Sequence, residues 1–313
     1  MSRPVTLGMV NLLLRQESLA ERRERLLSLI EAAGRSGCQI VLLPEFADHH
    51  CTWEAGQAAA EGPTKVRRVA GLTLESPWLR QVVDLAARYG MVVIPDVLLV
   101  DGDRATNTAL VYGPDGALLG QYAKTHLAPG ERQTCAAGDV IETVATPFGR
   151  LGLLICWDIH FPELTRVHEL QGADLLLWTT MRQVESEEIL WRAVLPARCW
   201  DHSLPLGVST YVTAHQVPLR RPMAATVFSV FGQVIAGGMS GEGVVQGTVD
   251  LDERPCDRRY WGRPDWVNAG PYYRRYRRPD LYAPLTAALA PIDADPDAEA
   301  EAARYPDLVN PVL

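Results

Sequence analysis

Short apolar runs alternate along the chain with stretches whose apolar residues recur every three or four positions, the signature of strands interleaved with amphipathic helices. Residues 5–13 read as a first strand. Residues 18–34 read as a helix: Ser18 can cap it, Glu21 follows three positions on, and Leu26, Leu27, Ile30 and Ala33 fall on one face. Residues 39–43 form a buried-type strand closed by Pro44. A second helix spans 76–89 and stops at Gly90, and a strand follows at 91–94.

The middle of the chain predicts hairpins. Segments 108–112 and 118–123 flank Gly113-Pro114-Asp115-Gly116, and segments 140–146 and 150–155 flank Pro147-Phe148-Gly149. A helix over 161–171, a strand over 173–179, a helix over 187–200 and a strand over 204–210 come next. A hairpin around Gly232 (227–235) and a last strand at 243–249 complete the pattern. Strand–helix units mixed with hairpins predict an α/β fold in which helices pack on mixed sheets. No linker-like segment precedes residue 250, so residues 1–254 are expected to form one domain.

Composition shifts after that point. Between 255 and 282 arginines such as Arg258, Arg274 and Arg278 interleave with aromatics such as Trp261, Tyr272 and Tyr282, and an acidic, Ala-rich stretch follows from Asp293. Without periodicity, residues 255–313 are expected to form an extended arm packed on the same or a neighbouring subunit. Arginines stacked on aromatics also occur in nucleic-acid-binding arms. A formal net charge of -8 argues against that reading, and an assembly role in a homodimer or larger oligomer is expected instead.

The rest of the composition is that of a soluble globular chain: 313 residues, 47% hydrophobic and 22% charged. No signal-peptide pattern and no run of about 18 apolar residues is visible, so a cytoplasmic protein without membrane contact is expected. The six cysteines are scattered with no C-x-x-C pair, which argues against a zinc site or a disulfide framework. His49-His50-Cys51 could suggest a metal, but three adjacent side chains do not readily face one ion. No metal and no cofactor are expected.

Three polar residues stand where apolar strands end: Glu45 after Leu42-Leu43-Pro44, Lys124 after Ala123, and Cys156 after Leu153-Leu154-Ile155. Each alone is more simply the start of a solvated loop. Together they form a chemical set. A carboxylate can take the thiol proton, and an ammonium favours the thiolate and then an oxyanion, helped by a backbone N–H beside the cysteine. The carboxylic acid can then protonate a leaving amine and activate water. Such a trio supports amide or nitrile hydrolysis with neither metal nor histidine. Cys156 with His160 could instead suggest a Cys–His peptidase, which leaves Glu45 and Lys124 unexplained.

The motifs around these residues resemble the nitrilase superfamily of carbon–nitrogen hydrolases. They are Val41-Leu42-Leu43-Pro44-Glu45-Phe46, Tyr122-Ala123-Lys124-Thr125-His126-Leu127, and the long match running from Gly152 through Cys156-Trp157-Asp158 to Leu164. The resemblance implies a four-layer α-β-β-α sandwich with two mixed sheets, usually assembled as a dimer or larger. It implies catalytic Glu45, Lys124 and Cys156, a supporting Glu131 that positions the lysine, and oxyanion or pocket residues Trp157, Thr180 and Met181. The amidase-type form of the cysteine motif implies a small amide or N-carbamoyl substrate, with nitrile hydrolysis or acyl transfer to an amine as alternatives. His160, Cys135, the segment 223–226 and Ser229-Val230 depart from common family residues and bear on the substrate.

Overall fold

A computed structural model describes residues 2–181, 188–213, 224–238, 241–253, 256–257, 267–268 and 276–287. In chain order its first half holds β1 (Pro4–Leu14), α1 (Leu19–Arg35), β2 (Ile40–Leu42), α2 (Trp53–Glu61), α3 (Pro63–Ala70), α4 (Pro77–Tyr89), β3 (Val92–Ile94), β4 (Asp96–Asp101), β5 (Arg104–Tyr112) and β6 (Leu118–Ala123). Its second half holds β7 (Val144–Thr146), β8 (Gly149–Ile155), α5 (Pro162–Leu170), β9 (Leu175–Thr179), α6 (Leu195–His202), β10 (Leu206–Thr213), β11 (Thr226–Phe228), β12 (Val234–Ala236) and β13 (Gly243–Asp250).

The long apolar run at the start of the chain becomes the strand on which both sheets turn. β1 pairs with β2 in parallel over Leu7–Met9 and with β13 antiparallel over Pro4–Asn11. Its last residues, Asn11 to Leu14, pair in parallel with β10. The first sheet therefore runs outward from β1 through β2, β3 and β5. The second runs from β10 through β9 and β8 to β7, and the β1–β10 ladder joins them.

Alternation along the strands builds the layers. Leu7, Met9, Ile40, Leu42, Val92 and Ile94 face the space between the sheets and share one cluster with Leu151, Leu153, Leu175 and Leu177. The intervening residues Val10, Leu12, Val41, Leu43 and Val93 pack on Leu26 and Ile30 of α1 and on Leu79 and Val82 of α4. α5 and α6 supply the fourth layer, with Leu164, Leu195 and Cys199 packing against the second sheet. A Cβ at Gly152 would lie 2.8 Å from His168 Cβ, so the missing side chain lets α5 sit close on β8. The mixed α-β-β-α sandwich implied by the resemblance is the fold observed.

Local expectations held where capping and periodicity were explicit. Ser18 and Glu21 make a reciprocal capping box at α1, and Gly90 ends α4 in the left-handed conformation. Three elements were not anticipated. α2 is rich in alanine and α3 is only eight residues long, so neither carries a large apolar stripe. β4 begins on an acidic residue just after Pro95. The helix expected over 187–200 begins outside the described residues and is broader-wound at Leu190–Val194 before α6. Pro196 has no N–H to offer the regular helical bond there.

The arm expected from residue 255 lies largely outside the described residues. What is described is a two-residue antiparallel ladder of Cys256–Asp257 with Val267–Asn268, and two 3₁₀ turns, Pro279–Leu281 and Ala283–Leu285. Among the described residues no helix is long and apolar enough to cross a membrane.

Burial holds three histidines in the neutral form: His168 down at about 4, and His50 and His202 at about 3. Their folded-state values are depressed, so below the unfolded value of about 6.5 the unfolded chain takes up protons that the folded chain refuses. Stability should therefore fall as pH drops from about 6.5 to about 4. Urea midpoints across that window should decline, and less steeply in His168→Gln; parallel slopes in the two proteins would contradict the assignment to His168.

Candidate active site

Glu45 is delivered by the carboxyl end of β2. The Leu42 carbonyl accepts the Ser209 hydroxyl and the Leu43 carbonyl accepts the Thr179 hydroxyl, each at 2.8 Å, so side chains of the second sheet hold the strand's end. The chain then turns sharply. Phe46 has φ 49°, in the left-handed region that non-glycine residues avoid, and its N–H donates to Asp96 Oδ1 at 2.9 Å. Tyr211 donates its hydroxyl to the Glu45 carbonyl at 2.7 Å. The carboxylate of Glu45 is fully buried and satisfied by donors: Lys124 Nζ at 3.0 Å and Asn107 Nδ2 at 2.8 Å on Oε1, and the Met181 N–H at 2.9 Å on Oε2.

Lys124 follows β6 and is equally buried. Its Nζ also donates to Glu131 Oε2 at 2.6 Å, so one ammonium bridges two carboxylates. Glu131 sits in the 3₁₀ turn Pro129–Gln133, where it accepts the Ala128 N–H at 2.7 Å and Asn107 Nδ2 at 3.2 Å. Asn107 thus ties the two carboxylates together from β5. Burial acts to lower the lysine, but Cys156, Glu45 and Glu131 outweigh it and hold the ammonium well above its ordinary range. Burial, with the Glu45 carboxylate adding to it, raises Glu131 against the pull of Lys124. A buried pair of this kind is costly unless every remaining donor and acceptor is met. The backbone beside Lys124 is crowded as well: Gly138 donates to the Lys124 carbonyl at 2.8 Å, and a Cβ on Gly138 would stand 2.2 Å from the Ala123 carbonyl oxygen.

Cys156 follows β8 and has φ 46°, a second left-handed turn at a non-glycine residue. Strain of this kind costs about 1–3 kcal/mol and persists only where the surroundings fix it. Two groups fix it. Trp178 Nε1 donates to the Cys156 carbonyl at 3.0 Å. Asp158, fully buried, accepts the Ile155 N–H at 3.0 Å on Oδ2. The same carboxylate accepts the Tyr122 hydroxyl at 2.8 Å, the His126 N–H at 3.1 Å and bonds His126 Nδ1 at 2.9 Å. Asp158 therefore locks the Cys156 turn to the segment flanking Lys124, and His126 stacks on Phe161 with ring centroids 3.8 Å apart. Burial pushes the Cys156 thiol well up, Glu45 and Glu131 add to this, and Lys124 and a Thr180 hydrogen bond oppose it. A thiol so placed rests protonated and needs a base to become a nucleophile.

The structure thus brings Glu45, Lys124, Glu131 and Cys156 to one centre, the first three buried and Cys156 partly exposed. Thr180 and Met181 border it, Met181 through its backbone amide and Thr180 through the thiol. The Trp157 ring is exposed and tilts against His160, ring centroids 5.0 Å apart, so the part of Trp157 that stays with the Cys156 turn is its backbone. His49 and His50 turn to separate partners, Asp48 at 2.8 Å and Cys51 Sγ at 3.3 Å. Among the described residues no group of three or more His, Cys, Asp or Glu side chains is arranged to hold a metal. Sequence reading missed Asn107, Asp158, Gly138 and Asp96. A signal for Asn107 was present: a carboxamide inside the buried strand β5.

The carbon-nitrogen hydrolase family model matches residues 6–255. Among curated proteins, the chain is 30% identical over 255 residues to a "Probable nitrilase" of Schizosaccharomyces pombe, covering 79% of this chain and 85% of that protein. It is 26% identical over 268 residues to the omega-amidase of Homo sapiens, covering 83% and 90%. It is 28% identical over 280 residues to the citrullinase of Francisella tularensis, covering 84% and 92%. Similar solved folds include a carbon-nitrogen hydrolase from Helicobacter pylori G27, with TM-score 0.72, 20% identity and coverage of 91% of this chain and 99% of the other. A mutant amidase from Nesterenkonia sp. AN1, with an acetamide moiety covalently added at its active-site cysteine, aligns with TM-score 0.69, 17% identity and coverage of 90% and 97%.

Removing the Asp158 carboxylate would leave several buried donors without an acceptor. Asp158→Ala should lower stability by about 3 kcal/mol or more, since each stranded buried donor costs about 1–3 kcal/mol. Asp158→Asn should lose less. Chemical denaturation at neutral pH checks both; equal stability of wild type and Asp158→Ala would show that these bonds carry no net energy.

Proposed function

The chain belongs to the carbon-nitrogen hydrolase family, in the amidase-like branch of the nitrilase superfamily, and we propose that it hydrolyses a non-peptide C–N bond of a small amide or N-carbamoyl compound through a thioester on Cys156. The observation that carries this reading is the Lys124 ammonium bridging Glu45 and Glu131 beside the Cys156 turn. Glu45 is the general base. It takes the proton from the thiol, and the sulfur attacks the substrate carbonyl carbon. Negative charge moves to the carbonyl oxygen, where Lys124 and the backbone N–H beside the cysteine are the available donors. The C–N bond breaks as Glu45 returns the proton to the departing nitrogen, leaving the acyl group on sulfur. Glu45 then takes a proton from water, hydroxide adds to the thioester, and the thiol is regenerated with release of the acid. Glu131 is a positioning residue: it holds Nζ and shares Asn107 with Glu45.

The donor set on Glu45 supports the base role, because the lysine, carboxamide and backbone amide hydrogens fix both carboxylate oxygens in one place beside the Cys156 turn. The omega-amidase and citrullinase names among the relatives support an amide or carbamoyl substrate over a nitrile. Assembly as a homodimer or larger belongs to the same reading, supported by the exposed Trp200 and Phe231, whose rings lie 6.5 Å apart on the outer face. A sedimentation comparison of the full chain with a truncation after Val249 tests whether the arm contributes; a full-length monomer at micromolar concentration would end the assembly proposal.

Cys156→Ala should abolish ammonia release from a panel of small amides, carbamoyl compounds and nitriles while retaining the fold. Lys124→Met and Glu45→Gln should each lose on the order of 10² or more in kcat. Glu131→Gln should lose less, and a chelator should have no effect. Ammonia release in the Cys156→Ala protein would sink the mechanism. Release from nitriles alone would move the substrate class, and a hydroxamate formed on adding hydroxylamine would report acyl transfer.

A further inference from the structure

The mechanism uses two carboxylates, yet a third is buried against them. Asp96 opens β4 and lies opposite Ala109 of β5, so its side chain shares the sheet face of Asn107, the residue that binds both Glu45 and Glu131. It is fully buried. Its Oδ1 accepts the N–H of Phe46, the left-handed residue directly after Glu45, at 2.9 Å. Its Oδ2 is buried and has no hydrogen-bond partner among the described residues.

That arrangement decides the protonation of the group. An ionised carboxylate with one oxygen buried and unpaired among the described residues, next to a second carboxylate already held by three donors, carries a heavy desolvation and repulsion cost. A neutral acid in the same place avoids both and still accepts the Phe46 N–H. The charged groups facing Asp96 are Glu45 after β2, Lys124 after β6 and Glu131 in the 3₁₀ turn. Burial pushes the Asp96 carboxyl well above the usual range, Glu45 and Glu131 add to this, and the Phe46 N–H and Lys124 oppose it.

We infer that Asp96 is kept as a neutral carboxylic acid behind Glu45 and is its positioning residue, fixing the turn that aims Glu45 through the Phe46 N–H without placing another negative charge at the site. This rests on the reading of Glu45 as the base. The neutral state matters to that reading. An ionised Asp96 would place a further negative charge beside the site and oppose formation of a Cys156 thiolate, whereas a neutral acceptor supplies the backbone restraint alone.

Two variants of the full chain, Asp96→Asn and Asp96→Ala, separate the parts of the claim. Infrared difference spectroscopy of wild type minus Asp96→Asn at neutral pH should show a carboxylic-acid carbonyl band that shifts in deuterium oxide, with no loss of carboxylate bands. Loss of carboxylate bands instead would overturn the neutral state. With an amide that the wild type hydrolyses, Asp96→Ala should lower kcat about tenfold or more with KM within about twofold, and Asp96→Asn should recover kcat to within about threefold of wild type. Asparagine keeps the acceptor for Phe46 and adds no charge. An unchanged kcat in Asp96→Ala, or an Asp96→Asn enzyme as slow as Asp96→Ala, would overturn the positioning role. If Asp96→Ala does not fold, the kinetics of Asp96→Asn decide: a loss of about 10² or more there shows that an ionisable group is required and overturns the inference. A wild type that hydrolyses no C–N bond is a different failure, that of the functional reading, and the infrared band still reports the state of Asp96.

Discussion

The site depends on one buried cation. Lys124 stands between Glu45 and Glu131 with almost no exposure to water, and each carboxylate is also held by Asn107 and by a backbone amide. Removing any member strands charge in a low-dielectric interior, where breaking such a pair typically costs about 3–5 kcal/mol. The sandwich is what makes the arrangement tolerable. Strand ends from both sheets converge at fixed positions, so the donors are in place without side-chain ordering at the moment of reaction.

The same convergence supports two strained turns. Phe46 and Cys156 both adopt the left-handed conformation, one directly after the carboxylate and the other at the thiol. Each is held by a buried carboxyl, Asp96 for Phe46 and Asp158 for the Cys156 turn, and each is braced by an aromatic donor, Tyr211 on the carbonyl of Glu45 and Trp178 on that of Cys156 itself. Such turns bend the chain abruptly at the sheet edge and present the side chain toward a common centre. The hydroxyls of Ser209 and Thr179, which bond the carbonyls of Leu42 and Leu43, belong to the same scaffold because they tie the base-bearing strand to the opposite sheet.

Much of this was legible in the sequence for a definite reason. The strands carry period-two or continuous apolar runs, the capping box at Ser18 and Glu21 is local, and Glu45, Lys124 and Cys156 each interrupt an apolar run at its end. What was not legible depends on pairing across long sequence distances. Asn107 is an ordinary strand residue until β5 sets it beside Glu45, 62 positions away. Asp158 looks like a helix-start residue until β6 brings Tyr122 and His126 to it. Asp96 follows a proline in a segment with no evident alternation, and only the register of β4 on β5 reveals its place. Trp157, singled out by its neighbour in the motif, turns its ring to solvent and onto His160.

The central claim is that the thiol of Cys156 becomes acylated while Glu45 manages the protons. It is tested most directly by mixing Glu45→Gln protein with a small amide that the wild type turns over, quenching in acid, and measuring the intact mass and the modified peptide. The account predicts slow accumulation of one acyl group, on the peptide containing Cys156, cleaved by hydroxylamine as a thioester is. Turnover without any covalent adduct, or an acyl group mapped to another cysteine, would contradict it.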